Sequence, residues 1–85
     1  MFDREYRMMN IQEATKVSMQ KGMGMYRKQW REFGLQGELI PTNDPHHGLI
    51  YAIPKHKKYF QMVQLMAEDL IANDWIVVGE FKDGV

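Results

Sequence analysis

The sequence contains no cysteine, one serine and three prolines, and these shortages narrow the possible functions. Without cysteine there are no disulfides, no thiolate metal sites and no cysteine nucleophiles. No apolar run approaches the ~20 residues that a membrane-spanning helix needs, and no charged and then apolar leader opens the chain. We therefore expect a cytoplasmic domain with no membrane segment.

The chain also lacks net charge, because eleven Lys and Arg balance eleven Asp and Glu. No overall electrostatic field therefore attracts nucleic acid. The distribution is uneven, since residues 1–60 carry ten basic and six acidic side chains, whereas residues 61–85 carry one and five. This asymmetry could let the basic part of one copy contact the acidic part of another, or attract an anionic ligand. The alternative is that both kinds of charge lie on a mixed surface exposed to solvent.

Eighty-five residues, 45% of them hydrophobic, make one small globular domain. A chain of this length buries only ~60–65% of its unfolded surface, so association between copies is plausible. The eight methionines are expected to fill gaps in a small core or a subunit interface. We assign residues 1–9 to an N-terminal extension (a loose arm or a helical lead-in), 10–81 to the core and 82–85 to a tail.

The clearest local signal predicts a helix over residues 11–21. Asn10 is a good N-cap, and Glu13 three residues later completes a pattern like a capping box. Gly22 follows the last turn, where glycine commonly ends helices. The helix has a narrow apolar stripe formed by Ile11, Ala14, Val17 and Ser18.

Alternation with a period of two predicts a strand over residues 23–30. Residues 31–37 contain two glycines and are predicted to form a loop. A short strand over 38–42 contains a proline, which favours an edge or a strand end. Turn-forming residues at 43–48 then lead into a strand over 49–53, so the two strands are expected to pair as a hairpin.

The second half of the chain gives weaker signals. Residues 55–58 form a basic cluster on a predicted loop, and 59–66 suit either a strand or the approach to a helix. A short helix is predicted over 67–73 and a last strand over 74–81. The predicted fold class is α+β: one N-terminal helix packed on a small, mainly antiparallel sheet, with a short second helix before the last strand.

Enzyme motifs are mostly missing from the sequence. Gly22-Met23-Gly24 lacks the third glycine of a dinucleotide fingerprint and precedes a predicted strand, and Ser18 lies within a helix. The adjacent His46 and His47 are better explained as exposed loop residues than as metal ligands. We therefore predict no catalytic residues, no metal and no cofactor.

One cluster combines cations with aromatic rings and suits a ligand that has both anionic groups and flat rings. Arginine can bind phosphate oxygens with two donors, and an aromatic ring can stack on a base. The alternative is that Tyr26 and Trp30 share a strand face and belong to the core, as we expect of Trp75. The cluster comprises Tyr26, Arg27, Lys28, Trp30 and Arg31.

Four motifs occur in an order typical of a known family. The chain resembles the second class of Thoeris anti-defence proteins, which are small phage and prophage proteins, from about residue 10 to residue 78. Jointly the motifs are fairly specific. They are Asn10-Ile11-Gln12-Glu13-Ala14-Thr15-Lys16, Tyr26-Arg27-Lys28-Gln29-Trp30, Leu39-Ile40-Pro41-Thr42-Asn43 and Glu68-Asp69-Leu70-Ile71-Ala72-Asn73-Asp74-Trp75.

The resemblance implies binding rather than catalysis. Such proteins assemble as homo-oligomers, tetramers in the family, and sequester cyclic ADP-ribose isomers made by the host's TIR-domain sensor in the bacterial cytoplasm. Some members also take cyclic dinucleotides. A small domain with little core can build a pocket between subunits, which is consistent with this role.

The resemblance also implies roles for individual residues. Trp30 would stack on adenine and Arg27 would face the phosphates, with Tyr26 as the second ring of the cluster. Asp74 would reach a ligand hydroxyl, whereas Asp69 serves as easily as a first-turn acid that stabilises its helix. Hydrogen bonds to ribose hydroxyls or base edges would come from Thr42, Asn43 and Asp44. The sequence departs from the family at Met66, where a Ser or Thr helix cap is expected.

Three other functions compete with this interpretation. A single-stranded nucleic-acid binder would use Tyr26, Trp30 and residues 55–58, although zero net charge counts against it. A nucleotide-cleaving enzyme would use His46, His47 or His56 as acid and base. A structural or regulatory phage protein would keep its tryptophans only as core.

Overall fold

A computed structural model describes residues 5–46, 48–60 and 65–81. Its helices are α1 (Ile11–Lys21), α2 (Lys28–Glu32) and α3 (Ala67–Ile71), and a 3-10 turn spans Pro54–His56. Its strands are β1 (Met25–Arg27), β2 (Glu38–Pro41), β3 (Leu49–Ile53), β4 (Lys58–Phe60) and β5 (Trp75–Val77). The strands form one five-stranded sheet in the order β4-β3-β2-β1-β5, and all its neighbouring strands are antiparallel. The predicted α+β class is confirmed.

Local caps set the ends of α1 where the sequence predicts them. The Asn10 side chain accepts a hydrogen bond from the Glu13 N–H, and Gly22 adopts the left-handed conformation with φ of 66°. Ala14 is fully buried against the sheet, and the Ser18 hydroxyl donates to the Met23 carbonyl. The apolar stripe therefore faces the core as predicted.

The core lies on one face of the sheet, under α1. Trp75 was predicted to be a core residue, and it has no exposed surface. Met9 is 4% exposed and pairs with Trp75 along the outer edge of β5, so the last residue of the predicted N-terminal extension is part of the core. The buried cluster comprises Met9, Ala14, Met25, Leu39, Trp75 and Val77.

The hairpin of β2 and β3 is confirmed, with Leu39 opposite Tyr51 and Pro41 opposite Leu49. The ambiguous segment 59–66 begins as part of β4 and ends at the start of α3, while residues 61–64 lie outside the described residues. Residues 1–4 and the predicted tail 82–85 also lie outside them.

The predicted strand over 23–30 is the main local error. The strand ends at Arg27, and α2 occupies Lys28–Glu32. The cause is a contact distant in sequence: the Asp74 carbonyl accepts a hydrogen bond from the Lys28 N–H at 3.0 Å, and the Asp74 carboxylate accepts one from the Gln29 N–H at 3.1 Å. These acceptors satisfy amides at a helix N-terminus, so a helical turn replaces further strand.

The last strand and the last helix are shorter than predicted. β5 ends at Val77 because Val78 and Gly79 form a turn in which Gly79 has φ of 83°, a conformation that favours glycine. The α3 helix ends at Ile71 rather than at residue 73.

Candidate functional site

The predicted site residues fall into two groups at opposite ends of the sheet. Met25 of β1 lies opposite Leu39 of the antiparallel strand β2. Arg27 is two residues from this pair toward one end of the sheet, and Thr42 is three residues from it toward the other end. At about 3.3 Å per residue the two positions are about 16 Å apart along the strands. Arg27, Asp74 and α2 with Trp30 lie at the first end. The loop with Thr42, Asn43 and Asp44 lies at the second.

The first end is organised by one buried arginine. Arg27 is 8% exposed, and its guanidinium donates from Nε to Asp74 Oδ1 at 2.8 Å and from Nη1 to Asp69 Oδ1 at 2.7 Å. We call these three side chains the Arg27 network. Asp69 and Asp74 pair with the charge of Arg27 within the chain. Contact of the Arg27 side chain with a ligand phosphate therefore stays a prediction.

The network perturbs two pKa values. Burial alone would raise the pKa of the Asp74 carboxyl, but hydrogen bonds from the Arg27 side chain and the Gln29 N–H outweigh it and hold that pKa below its usual range. Burial alone would lower the pKa of Arg27, and the hydrogen bonds to Asp74 and Asp69 reverse that effect and raise it. Both shifts favour the ionised forms, so Arg27 and Asp74 form an ion pair at neutral pH.

Asp69 also fixes the elements around it. Its Oδ2 accepts a hydrogen bond from the Met66 N–H at 2.9 Å, so this carboxylate satisfies an amide at the start of α3, where the sequence lacks a Ser or Thr cap. Its backbone carbonyl accepts the indole N–H of Trp75 at 2.8 Å. Asp69 is 6% exposed and joins α3, β1 and β5.

Trp30 is half-buried and packs against two other rings. Its ring centroid is 5.3 Å from that of Trp75 and 6.4 Å from that of Tyr51, both in edge-to-face geometry. We call Trp30, Tyr51 and Trp75 the aromatic cluster. Within the described residues the Trp30 indole N–H has no hydrogen-bond partner, so this donor is available to a ligand.

Tyr26 and Trp30 do not share a face of the sheet, in contrast to the sequence interpretation. Met25 belongs to the core face, so alternation along β1 places Tyr26 on the other face, while Trp30 packs on the core residue Trp75. Tyr26 is 7% exposed, and the Arg31 guanidinium carbon lies 3.9 Å above its ring. Tyr26 is therefore covered within the chain.

Arg31 holds the segment after α2. Its Nη1 donates to the Leu35 carbonyl at 2.7 Å and to the Gly37 carbonyl at 3.1 Å. Gly37 is buried, and a Cβ atom there would overlap the ring of Tyr51. Close packing of a backbone on this ring sets the position of Tyr51 beside Trp30.

At the other end of the sheet, side-chain oxygens order the loop between β2 and β3. The Thr42 hydroxyl oxygen accepts from the Asp44 N–H at 3.2 Å, and Asp44 Oδ1 accepts from the His46 N–H at 2.8 Å. Asn43 is exposed, and its side chain makes no hydrogen bond in the described part of the chain. This amide therefore remains available to a ligand.

The structure also describes three other features that the sequence singled out: the charge asymmetry, the basic residues 55–58 and the histidines. Of the acidic residues in 61–85, Asp69 and Asp74 bind Arg27, and Glu80 lies 3.4 Å from the Lys21 ammonium, so much of the charge asymmetry is compensated within the chain. Residues 55–58 are exposed on the 3-10 turn and the start of β4. His47 lies outside the described residues, among which no group of His, Asp or Glu is arranged to hold a metal ion.

The sequence alone did not single out Tyr51, nor Asp69 as a partner of Arg27. Asp69 could have been found from its position three residues after Met66, where a carboxylate satisfies the N-cap amide. No local signal places Tyr51 beside Trp30, because their contact depends on α2 folding back over the sheet.

The fold and this end of the sheet define a small α+β domain with a half-exposed indole supported by a buried ion-pair network. The family model of the Thoeris anti-defense 2-like (Tad2-like) domain matches residues 9–78, which is most of the chain. The protein belongs to this family, as the sequence motifs indicate. No curated protein and no solved structure matches the chain. Within the described residues, no helix has the length and hydropathy needed to cross a membrane.

Proposed function

We propose that the protein binds a cyclic ADP-ribose-type nucleotide signal in the bacterial host cytoplasm and sequesters it without cleaving it. Membership of the anti-defence family supports a signal molecule as the partner. The observation that carries the proposal is the half-buried Trp30 ring, which is in edge-to-face contact with Trp75. Such a ring can stack on adenine.

A cation close in sequence to this ring could serve the phosphates of the ligand. Lys28 is exposed at the start of the short helix that carries Trp30, whereas Arg31 on the same helix is engaged within the chain. The side chain of Lys28 has no ion pair within the described residues, so its charge is available to an anion. Arg27 would contribute a phosphate contact only through a nitrogen that the carboxylates leave unused.

We propose further that the site is completed by a second copy in a homotetramer. The two predicted groups of ligand contacts are about 16 Å apart along one sheet, so a second copy could supply one of the two groups. Trp30 of one copy and Asn43 of another could meet the same ligand. Exposed apolar side chains support association, among them Phe33 at 72%, Leu70 at 52% and Ile71 at 79% exposure.

Calorimetry tests the binding proposal directly. Titration with cyclic ADP-ribose isomers and cyclic dinucleotides should give at least one affinity tighter than micromolar, and the Trp30→Ala variant should lose most of it while keeping its oligomeric state. Heating the complex should return the ligand intact. Recovery of cleaved ligand would instead identify an enzyme, and the absence of any binding would end the proposal.

Single-stranded nucleic-acid binding is the second candidate. One observation favours it: Tyr59 is 66% exposed and follows the basic residues 55–58, where a base could stack beside cations. The burial of Tyr26 counts against it, since that ring cannot stack on a base. Affinity for single strands should then fall steeply with salt, whereas binding of a small cyclic nucleotide should fall only modestly.

A further inference from the structure

We infer that Arg27, Asp69 and Asp74 act as positioning residues that hold Trp30 in its binding orientation, rather than as ligand contacts. This inference rests on the proposed function, because it concerns the same site. It changes the roles that the family resemblance implies for Arg27 and Asp74. The network acts on two parts of the structure, the helix that carries Trp30 and the ring that supports it.

The first part concerns the start of α2. This helix has only five residues, and its N-cap residue, Arg27, makes no capping hydrogen bond with its own side chain. Helices this short are not stable without tertiary contacts. Asp74 supplies the missing acceptors from a neighbouring part of the chain, one from its carbonyl to Lys28 and one from its carboxylate to Gln29. Asp74 therefore determines where α2 begins and which way Trp30 points.

The second part concerns the ring beneath Trp30. The Trp75 indole N–H donates to the Asp69 carbonyl at 2.8 Å, and the Trp75 ring meets Trp30 at 5.3 Å. The Asp69 carboxylate is held in turn by Arg27 Nη1 at 2.7 Å and by the Met66 N–H at 2.9 Å. The guanidinium of Arg27 links both parts, since it binds Asp69 and Asp74 together.

The two tryptophans offer a direct readout of this geometry. They are the only tryptophans in the sequence, and rings in edge-to-face contact at 5.3 Å couple their electronic transitions. We expect the coupled pair to give a characteristic circular dichroism band in the ligand-free protein. This band reports the orientation of Trp30 independently of any ligand.

The experiment compares Asp74→Asn and Arg27→Lys with a matched control, Glu68→Gln. Glu68 is exposed beside Asp69, and its side chain makes no contact with the Arg27 network, so the control removes one carboxylate charge without removing a partner. Asn cannot bind Arg27 as a charged acceptor, and Lys keeps the charge but cannot donate to both carboxylates in the same planar geometry. Each protein is measured for the tryptophan band, the melting temperature, and affinity for cyclic ADP-ribose isomers at several salt concentrations.

We expect both network variants to lose part of the tryptophan band and roughly tenfold or more in affinity, the loss typical of residues that orient a binding group. The salt dependence of the remaining affinity should match the wild type, because no phosphate contact has been removed. Glu68→Gln should match the wild type in the band and in affinity.

Two results would overturn the inference. An unchanged tryptophan band with lost affinity and a weaker salt dependence would make Arg27 or Asp74 a direct ligand contact. An unchanged band with unchanged affinity would make the network irrelevant to the site. If Asp74→Asn does not fold, Arg27→Lys carries the same test. Failure of the wild type to bind any tested nucleotide would end the proposed function, while the tryptophan band would still decide whether the network orients Trp30.

Discussion

At the scale of single residues, Asp74 is an aspartate whose ionised form the folded protein favours. Hydrogen bonds from Arg27 and Gln29 outweigh burial and lower its pKa. A folded-state pKa below the unfolded value of about 3.9 stabilises the fold above that pH. The stabilisation is lost as the pH falls below this value toward the folded-state pKa.

Urea unfolding of the wild type should therefore show a steeper loss of stability below about pH 4 than unfolding of Asp74→Asn. At neutral pH the variant should be the less stable protein, because Arg27 and Gln29 lose a charged acceptor. As the pH falls, the two free energies of unfolding should converge. Parallel curves for the two proteins would show that Asp74 gains nothing from its partners.

At the scale of elements, the close approach of Gly37 to Tyr51 determines how the start of β2 packs on β3. A Cβ at residue 37 would overlap the Tyr51 ring. Gly48, at the other end of the same hairpin, has open space where a Cβ would be added. The hairpin thus contains its own matched control.

Gly37→Ala should cost roughly 1–3 kcal/mol of folding free energy, since the Tyr51 ring must move. Gly48→Ala should stay within about 0.5 kcal/mol of the wild type. Chemical denaturation measures both. Because Tyr51 contacts Trp30, the fluorescence of the tryptophans should change in Gly37→Ala alone. Equal stability of the two variants would contradict the tight packing of Gly37 against Tyr51.

The helices and strands also differ in whether neighbouring residues or distant residues determine them. The α1 helix was predicted correctly because Asn10, Glu13 and Gly22 cap it within its own sequence. The hairpin was predicted because turn formers separate two β-rich runs. In contrast, residues 28–30 were predicted to continue a strand and residues 31–32 to belong to a loop. Residues 28–32 form a helix instead, because Asp74, distant in sequence, supplies the acceptors. Local patterns do not contain such partners.

At the scale of the whole molecule, the two groups of predicted ligand contacts lie at opposite ends of the sheet. The proposed oligomer therefore predicts that two binding-deficient variants can complement each other. Trp30→Ala and Asn43→Ala should each abolish tight nucleotide binding. If one copy supplies Trp30 and another supplies Asn43, then unfolding and refolding the two variants together should create mixed oligomers with some intact sites. Random mixing should restore about a quarter of the wild-type sites.

Calorimetry of the mixture measures the recovered stoichiometry, and each variant refolded alone is the control. No recovery, despite mixed oligomers detected by mass, would place both contacts in one copy or remove one of them from the site. Sedimentation of the wild type separately tests the tetramer.

The candidate site was predictable only in part. The motif with Arg27 and Trp30 lies at the end of the sheet where the Arg27 network and the aromatic cluster come together, and its role as a ligand site stays a prediction. The partners within each group could not be inferred. Arg27 appeared to be a cation available to phosphate, and only the approach of α3 and β5 shows that two carboxylates engage it.

The sequence by itself determined the features that depend on neighbouring residues: the capped first helix, the hairpin, the α+β class and the family. These follow from capping, turn chemistry and motif order, which act over a few residues or are read directly. Only the tertiary structure decided that a helix follows Arg27, that Tyr26 is covered, and that the Trp30 and Asn43 groups lie at opposite ends of the sheet. Those outcomes depend on strand register and on hydrogen bonds between residues more than forty positions apart, such as Arg27 to Asp74.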